Sequence, residues 1–378
     1  MIDAKGNSAS PKAAAGKSFD LGALLLEGRA FFALIVIIIV FSFLSPNYFT
    51  AANLLVMSSH VALFAILAIG MLLVILNGGI DLSVGSTLGL TGVVAGFLMQ
   101  GVTINGLGFV LYPKVWVVAV LSIALGALVG AVNGVLIARL KVPAFVATLG
   151  VMYMVRGIAL LMTNGLTYNN LGGSPDLGNT GFDWLGFNHI LGVPIGVIVM
   201  AIIAIIGVLA LRRSAFGRWL YASGGNERAA ELSGVPVKMV KVMVYVLSGV
   251  CAAVAGLILS SQLTSAGPTA GTTYELTAIA AVVIGGAALT GGRGTIRGTL
   301  LGAFVIGFLS DGLVIIGISS YWQTVFTGAV IVLAVLLNAI QYRRRAKPAV
   351  ATGGPSSTLP KGGGNATAAN AAREKISG

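Results

Sequence analysis

Two stretches of this chain put polar residues and paired glycines where an uninterrupted apolar run stops. The first, LNGGIDLSVGSTLGL from Leu76 to Leu90, follows sixteen consecutive apolar or glycine residues, Val61 to Leu76. The second, IGGAALTGGRGTIRG from Ile284 to Gly298, also opens on Gly-Gly and is also followed by an apolar run. Asn77, Asp81 and Ser83, with backbone groups exposed near Gly78 and Gly79, can replace water hydrogen bonds that a polar solute loses on leaving solvent. Gly285 and Gly286 allow the same close backbone approach. Non-helical backbone at membrane depth persists only where protein or a water-filled cavity satisfies its polar groups. Each break therefore reads as a re-entrant turn or discontinuous helix lining a translocation path. The alternative is an ordinary turn near the inner face, with glycines for positive φ and Asp81 capping the next helix. Both readings stay open at this point.

A third stretch, RRSAFGRWLYASGGNERAAELSGVPVKMVKVMVY, is the longest charged connection. Ser223-Gly-Gly is a turn signal, Asn226 suits an N-cap, Glu227 the first turn, and Gly234 with Pro236 a stop. The helix so delimited, about Asn226 to Ser233, has about two turns and cannot hold itself in water, so it must dock on its own chain or on a partner. Charges inside apolar runs are functional candidates by cost, which selects Arg156 in VMYMVRGIALLM and Asp311 in IGFLSDGLVIIG. Both fall toward the outer ends of their runs, where snorkelling or capping is cheaper. His60 reads as a hydrogen-bonded packing residue rather than a proton relay. The ladders Gly126, Gly130, Gly134 and Gly294, Gly298, Gly302 read as close helix contacts.

The chemistry that is missing narrows the function. A phosphate-binding loop needs G-x-x-x-x-G-K-[ST]; the nearest match, ending Gly16-Lys17-Ser18, has Pro11 where the first glycine belongs. There is no His/Cys metal cluster, no Gly-x-Ser-x-Gly elbow and no close carboxylate pair, so no enzyme, metal or cofactor is expected. Any energy must come from a partner or from an ion gradient.

The elements that must carry these residues are apolar helices. Of 378 residues 57% are hydrophobic and 9% charged, against roughly 25% charged in soluble proteins. The apolar runs are continuous rather than alternating, which excludes a β-barrel. The expected fold is all-α: a polytopic membrane protein of about ten spans, near 30–45, 51–76, 82–102, 115–138, 142–163, 190–211, 236–262, 274–290, 296–317 and 321–341. Residues 1–29 read as a polar cytoplasmic N-terminus without a removable signal peptide, 30–345 as the membrane domain, and 346–378 as a disordered cytoplasmic tail. With both termini cytoplasmic, 21 of the 23 lysines and arginines fall on that side, leaving Lys114 outside and Arg156 within a span. The net charge of +12 then reflects topology and attraction to anionic lipid, not nucleic-acid binding. The single cysteine, Cys251, excludes an intrachain disulfide.

At the level of motifs, GGNERAAELSGVPV resembles the coupling loop of permease subunits in bacterial ATP-binding-cassette importers. GGIDLSVGS and VVIGGAALTGGRGTIRGTLLGA are similar to signature segments of the ribose/xylose-type sugar permeases in that group. The resemblance runs from about residue 30 to 345, with all three segments in order. Arg228 stands between Glu227 and the alanines, a departure from the Glu-Ala-Ala pattern that leaves docking intact but not its individual contacts. The resemblance implies that Asn226, Glu227, Ala229, Ala230, Ser233 and Gly234 meet a cytoplasmic ATPase. It also implies an extracytoplasmic solute-binding protein, a second permease copy and the inner membrane. The expected function is import of a monosaccharide or polyol by alternating access. The alternatives are the same architecture for a branched-chain amino acid or nucleoside, and a proton-coupled secondary transporter using Asp81, Asp311 or Arg156.

Overall fold

A computed structural model describes residues 28–104 and 109–345; the expectations for the polar N-terminus and the Gly/Ala-rich tail lie outside these residues. The chain divides into two units, Met1–Ala339 and Ile340–Gly378, and 340–345, the described part of the second, is helical.

The described residues form thirteen α-helices: α1 Arg29–Leu44, α2 Ala51–Leu76, α3 Val84–Gln100, α4 Val115–Ala138, α5 Ala144–Thr163, α6 Trp184–Phe187, α7 Ile195–Arg213, α8 Ala215–Gly225, α9 Glu227–Leu232, α10 Val237–Leu263, α11 Tyr274–Ile284, α12 Ile296–Ile315 and α13 Ser320–Arg345. Three two-stranded ribbons lie in connections; one pairs Tyr168–Asn169 with Ser265–Ala266 and ties the α5–α6 connection to the residues after α10.

Fifteen of the sixteen residues Val61–Leu76 are buried by protein. This part of the expected span 51–76 is walled by protein on all sides, since an all-round apolar helix suits a protein interior as well as lipid. The lipid-type pattern belongs to α7, which leaves Ile202, Ile205, Ile206 and Leu209 exposed. The Gly126/Gly130/Gly134 ladder does what small residues do between membrane helices: it lets α4 and α10 meet backbone to backbone. A methyl at Gly126 would sit 2.5 Å from the Gly249 carbonyl, and one at Gly134 would sit 2.8 Å from Val242 Cα. In the second ladder only Gly298 and Gly302 lie on a helix, α12, against the backbone at Gly285 and Ala281 of α11's end; Gly294 precedes α12 in a loop.

The expected count of ten spans is not confirmed. Among the described residues six helices, α2, α4, α5, α7, α10 and α12, are long and apolar enough to cross a membrane; the shorter apolar helices are Ala30–Leu44, Val84–Gln100 and Tyr274–Ile284. The run near 274–290 gives a shorter helix than its apolar length suggests: the helix stops at Ile284, ahead of the glycine pair, after 11 residues, where about 20 cross a bilayer unaided.

Candidate functional site

The first break begins where α2 ends. Gly78 takes φ +81°, a conformation open to glycine without strain, and Asp81 turns into the bundle at 1% exposure. Its Oδ1 accepts from Ser83 N at 3.0 Å and Ser83 Oγ at 2.7 Å, and its Oδ2 from Ser248 Oγ of α10 at 2.9 Å. Asn133 of α4 donates to Ser83 Oγ at 2.8 Å, so the break is pinned to two spans at once. Burial pushes the Asp81 carboxyl above the usual carboxylate range, and the Ser83 and Ser248 hydrogen bonds oppose that push. Both Asp81–Ser83 bonds are local, just ahead of α3, but the N-cap of α3 is Ser83, so Asp81 is not the cap that the turn reading expects; the Asp81–Ser248 and Ser83–Asn133 bonds are long-range.

The second break folds onto the first. Gly292 N donates to Leu76 O at 2.9 Å, and Ala288 N donates to Arg293 O at 2.9 Å across the loop. A methyl on Gly291 (φ +91°) would lie 3.0 Å from Gly78 N, and one on Gly285 would strike the Gly298 carbonyl. Gly286 has φ +91°. Gly79 lies so close to the Tyr245 hydroxyl that a side chain there overlaps it. The glycines thus permit loop-to-loop and loop-to-helix approach within the protein. We expect Gly285→Val to abolish solute uptake and lower the unfolding temperature in detergent, because the obstacle is backbone, which cannot swing aside; normal uptake with unchanged stability would show that the contact is dispensable.

The charged connection meets both breaks. Asn77 donates to Ser223 Oγ at 2.9 Å, Tyr221 donates to Gly294 O at 2.8 Å, and a side chain on Gly224 would run into Leu76 O. Ser223-Gly-Gly is therefore the end of helix α8 rather than a turn, because glycine is what fits between Leu76 and Gly292. Asn226 follows as an N-cap, accepting from Ala229 N at 3.0 Å, and opens α9; Gly234, φ +82°, ends that segment. Glu227 accepts from Lys241 at 2.8 Å and Arg228 pairs with Glu231 at 3.0 Å. Ala229, Glu231, Leu232, Ser233 and Gly234 are exposed. Ala230 is not: at 5% exposure it packs into its own chain, which corrects its expected availability to a partner. A cavity of about 580 Å³ opens beside this segment, lined by Asn77, Gly78, Gly79, Lys141, Glu227 and Tyr245 among others.

The two charges singled out within apolar runs lie elsewhere. Arg156 donates from Nη1 to Pro268 O at 2.6 Å and Ala270 O at 2.8 Å, holding the connection between α10 and α11. Asp311 meets His60: Oδ1 lies 3.1 Å from Nδ1, joining two residues singled out separately in the sequence.

The family described as the permease component of a branched-chain amino acid transport system matches residues 51–335. The chain belongs to this permease family. It is 45% identical to the ribose import permease protein of Escherichia coli K12 over 85% of this chain and 97% of that one. Identity is 44% to the Bacillus subtilis 168 ribose import permease, over 82% and 91%. With the E. coli K12 xylose transport system permease it is 34%, over 82% and 91%. No solved structure matches. The relatives are permease components of transport systems, not enzymes.

Sequence reasoning about the permease missed Asn133, Ser223, Tyr245 and Ser248, the partners of the breaks. Each is a small polar or aromatic residue within or beside an otherwise helical stretch, where serine and asparagine equally well turn toward their own backbone. The one usable signal was position: Ser248 sits beside Gly249, which α10 presents to α4.

Proposed function

We infer that the permease is the membrane-spanning subunit of an ATP-binding-cassette importer, moving a monosaccharide or related polyol across the inner membrane by alternating access. The observation that supports this best is the convergence of three segments. Both glycine-rich breaks pack on α8, and the capped helix α9, with its exposed face, follows α8 directly. A partner gripping α9 would act on both breaks through α8. In this reading Asn226, Glu227, Ala229, Ser233 and Gly234 form the docking face for a cytoplasmic ATPase, and Ala230 supports it from beneath. Asn77, Gly78 and Gly79 border the inner mouth of the path, while Asp81, Ser83, Gly285 and Gly286 hold its shape. Arg156 keeps the outer connections in place. Both termini are cytoplasmic by the distribution of lysine and arginine, and the working unit includes a second copy, lipid and an extracytoplasmic binding protein.

The ribose and xylose permeases among the relatives favour a sugar. The family's description favours a second reading, the same machine for a branched-chain amino acid. Uptake of labelled ribose, xylose and leucine into proteoliposomes separates them. Uptake of a sugar is expected only with the ATPase, ATP and binding protein present. Leucine uptake without sugar uptake would favour the second reading, and transport by the chain alone on a proton gradient would overturn both.

A further inference from the structure

One helix length from the breaks, a second cavity of about 700 Å³ is walled by residues from α2, α10, α11 and α12 and by the short α6 segment. His60 stands sixteen residues before Leu76, which is ~24 Å along α2 at 1.5 Å per residue. Between the two cavities α2 is buried at every residue from Ala65 to Leu76. The wall chemistry is mixed. Phe64 and Tyr274 meet edge to face with ring centroids 5.0 Å apart. Beside them Gln262 donates to Ser59 Oγ at 2.9 Å, and Asp311 pairs with His60. A primary amide has two donors and a two-lone-pair acceptor, so most of the Gln262 amide remains free for a solute. Asp311 Oδ2 is buried without a hydrogen-bond partner among the described residues.

We propose that this cavity is the outward-facing solute site of the permease, with Gln262, Ser59 and the His60–Asp311 pair taking hydroxyls and the Phe64–Tyr274 pair taking the C–H face of a neutral monosaccharide. Aromatic faces are negative and attract weakly positive C–H groups, and a few convergent polar groups in an apolar wall are the usual make-up of a small-molecule site. The lining includes no lysine, arginine or glutamate; its ionisable groups besides Tyr274 are His60, which already faces the one carboxylate, Asp311, and a second histidine, His189. A free amino acid would need separate partners for its ammonium and carboxylate groups, whereas a neutral polyol needs none. The assignment rests on the sugar reading above and adds to it where the sugar is held before the path opens inward.

The test uses the full-length permease in nanodiscs, with Cys251→Ala removing the native thiol and Val56→Cys placing a reporter in the cavity wall. Ribose or xylose is expected to slow maleimide labelling at position 56 severalfold, and leucine is not. Adding Gln262→Ala is expected to remove the protection. In the otherwise unmodified permease, assembled with its ATPase and binding protein, Gln262→Ala and Tyr274→Leu should each cut sugar uptake about tenfold, the scale of one lost polar contact, while the variants still insert and co-purify with the ATPase. Sugar uptake by the wild type, with no protection and full uptake by both variants, overturns the site and leaves the importer reading standing. Protection without sugar uptake by the assembled transporter keeps the site and removes the importer reading. Protection by leucine in place of sugar overturns the ligand class.

Discussion

Asp81→Ala is expected to be the most damaging single substitution in the permease. Removing the carboxylate strands Ser83 N, Ser83 Oγ and Ser248 Oγ at a fully enclosed position. A buried donor without an acceptor costs about 1–3 kcal/mol, so the total is several kcal/mol against a whole-domain stability of about 5–15 kcal/mol. Low yield, a markedly lowered unfolding temperature in detergent and no uptake should follow. Asp81→Asn is the informative companion. It is nearly isosteric, keeps one oxygen for Ser83, and turns an amide toward Ser248, whose hydroxyl can accept as readily as donate. It should fold close to normally and retain uptake. If the alanine variant matched the wild type in stability and transport, the Asp81 network would not be what anchors the first break to α10.

The second large effect belongs to α9. Leu232 is 74% exposed on a six-residue helix that already uses Asn226 as its cap and Ser233 Oγ on Ala229 O at 2.8 Å. An exposed leucine on so short a helix fits an apolar contact supplied by the proposed ATPase. Leu232→Asp or Ala229→Trp should leave insertion and thermal stability unchanged while weakening ATPase capture by about tenfold for each 1.4 kcal/mol lost. Co-purification in detergent and solute-stimulated hydrolysis in liposomes measure it. Ala230→Trp should behave differently: its target is the chain's own packing, where overfilling costs about 1–3 kcal/mol, so its unfolding temperature falls as well. Undiminished capture by both surface variants would place the docking face elsewhere.

How much of this was visible in the sequence depended on the distance over which each feature acts. Helix α9 was legible residue by residue, since an N-cap, an acidic first turn and a glycine stop are all local. The breaks were legible as interruptions, because glycine pairs stand out in apolar runs, but their meeting was not. The Gly292–Leu76 hydrogen bond joins residues more than two hundred apart, and no periodicity encodes such a pairing. Apolar length in the sequence does not show where a helix stops: α11 ends at its glycine pair after 11 residues. The burial of α2 by protein was not legible, since protein and lipid select the same side chains. The second cavity went unseen because its polar residues are spread over four helices far apart in the chain, α2, α10, α11 and α12.

Gly224 is wedged between Leu76 O and Gly292 N, so α8 is seated against both breaks at once. We expect neither break to shift without displacing this helix, and the two to move together. Spectroscopic labels on the two breaks should therefore report a single relaxation with one rate constant during turnover, not two phases that can be separated by temperature or solute concentration.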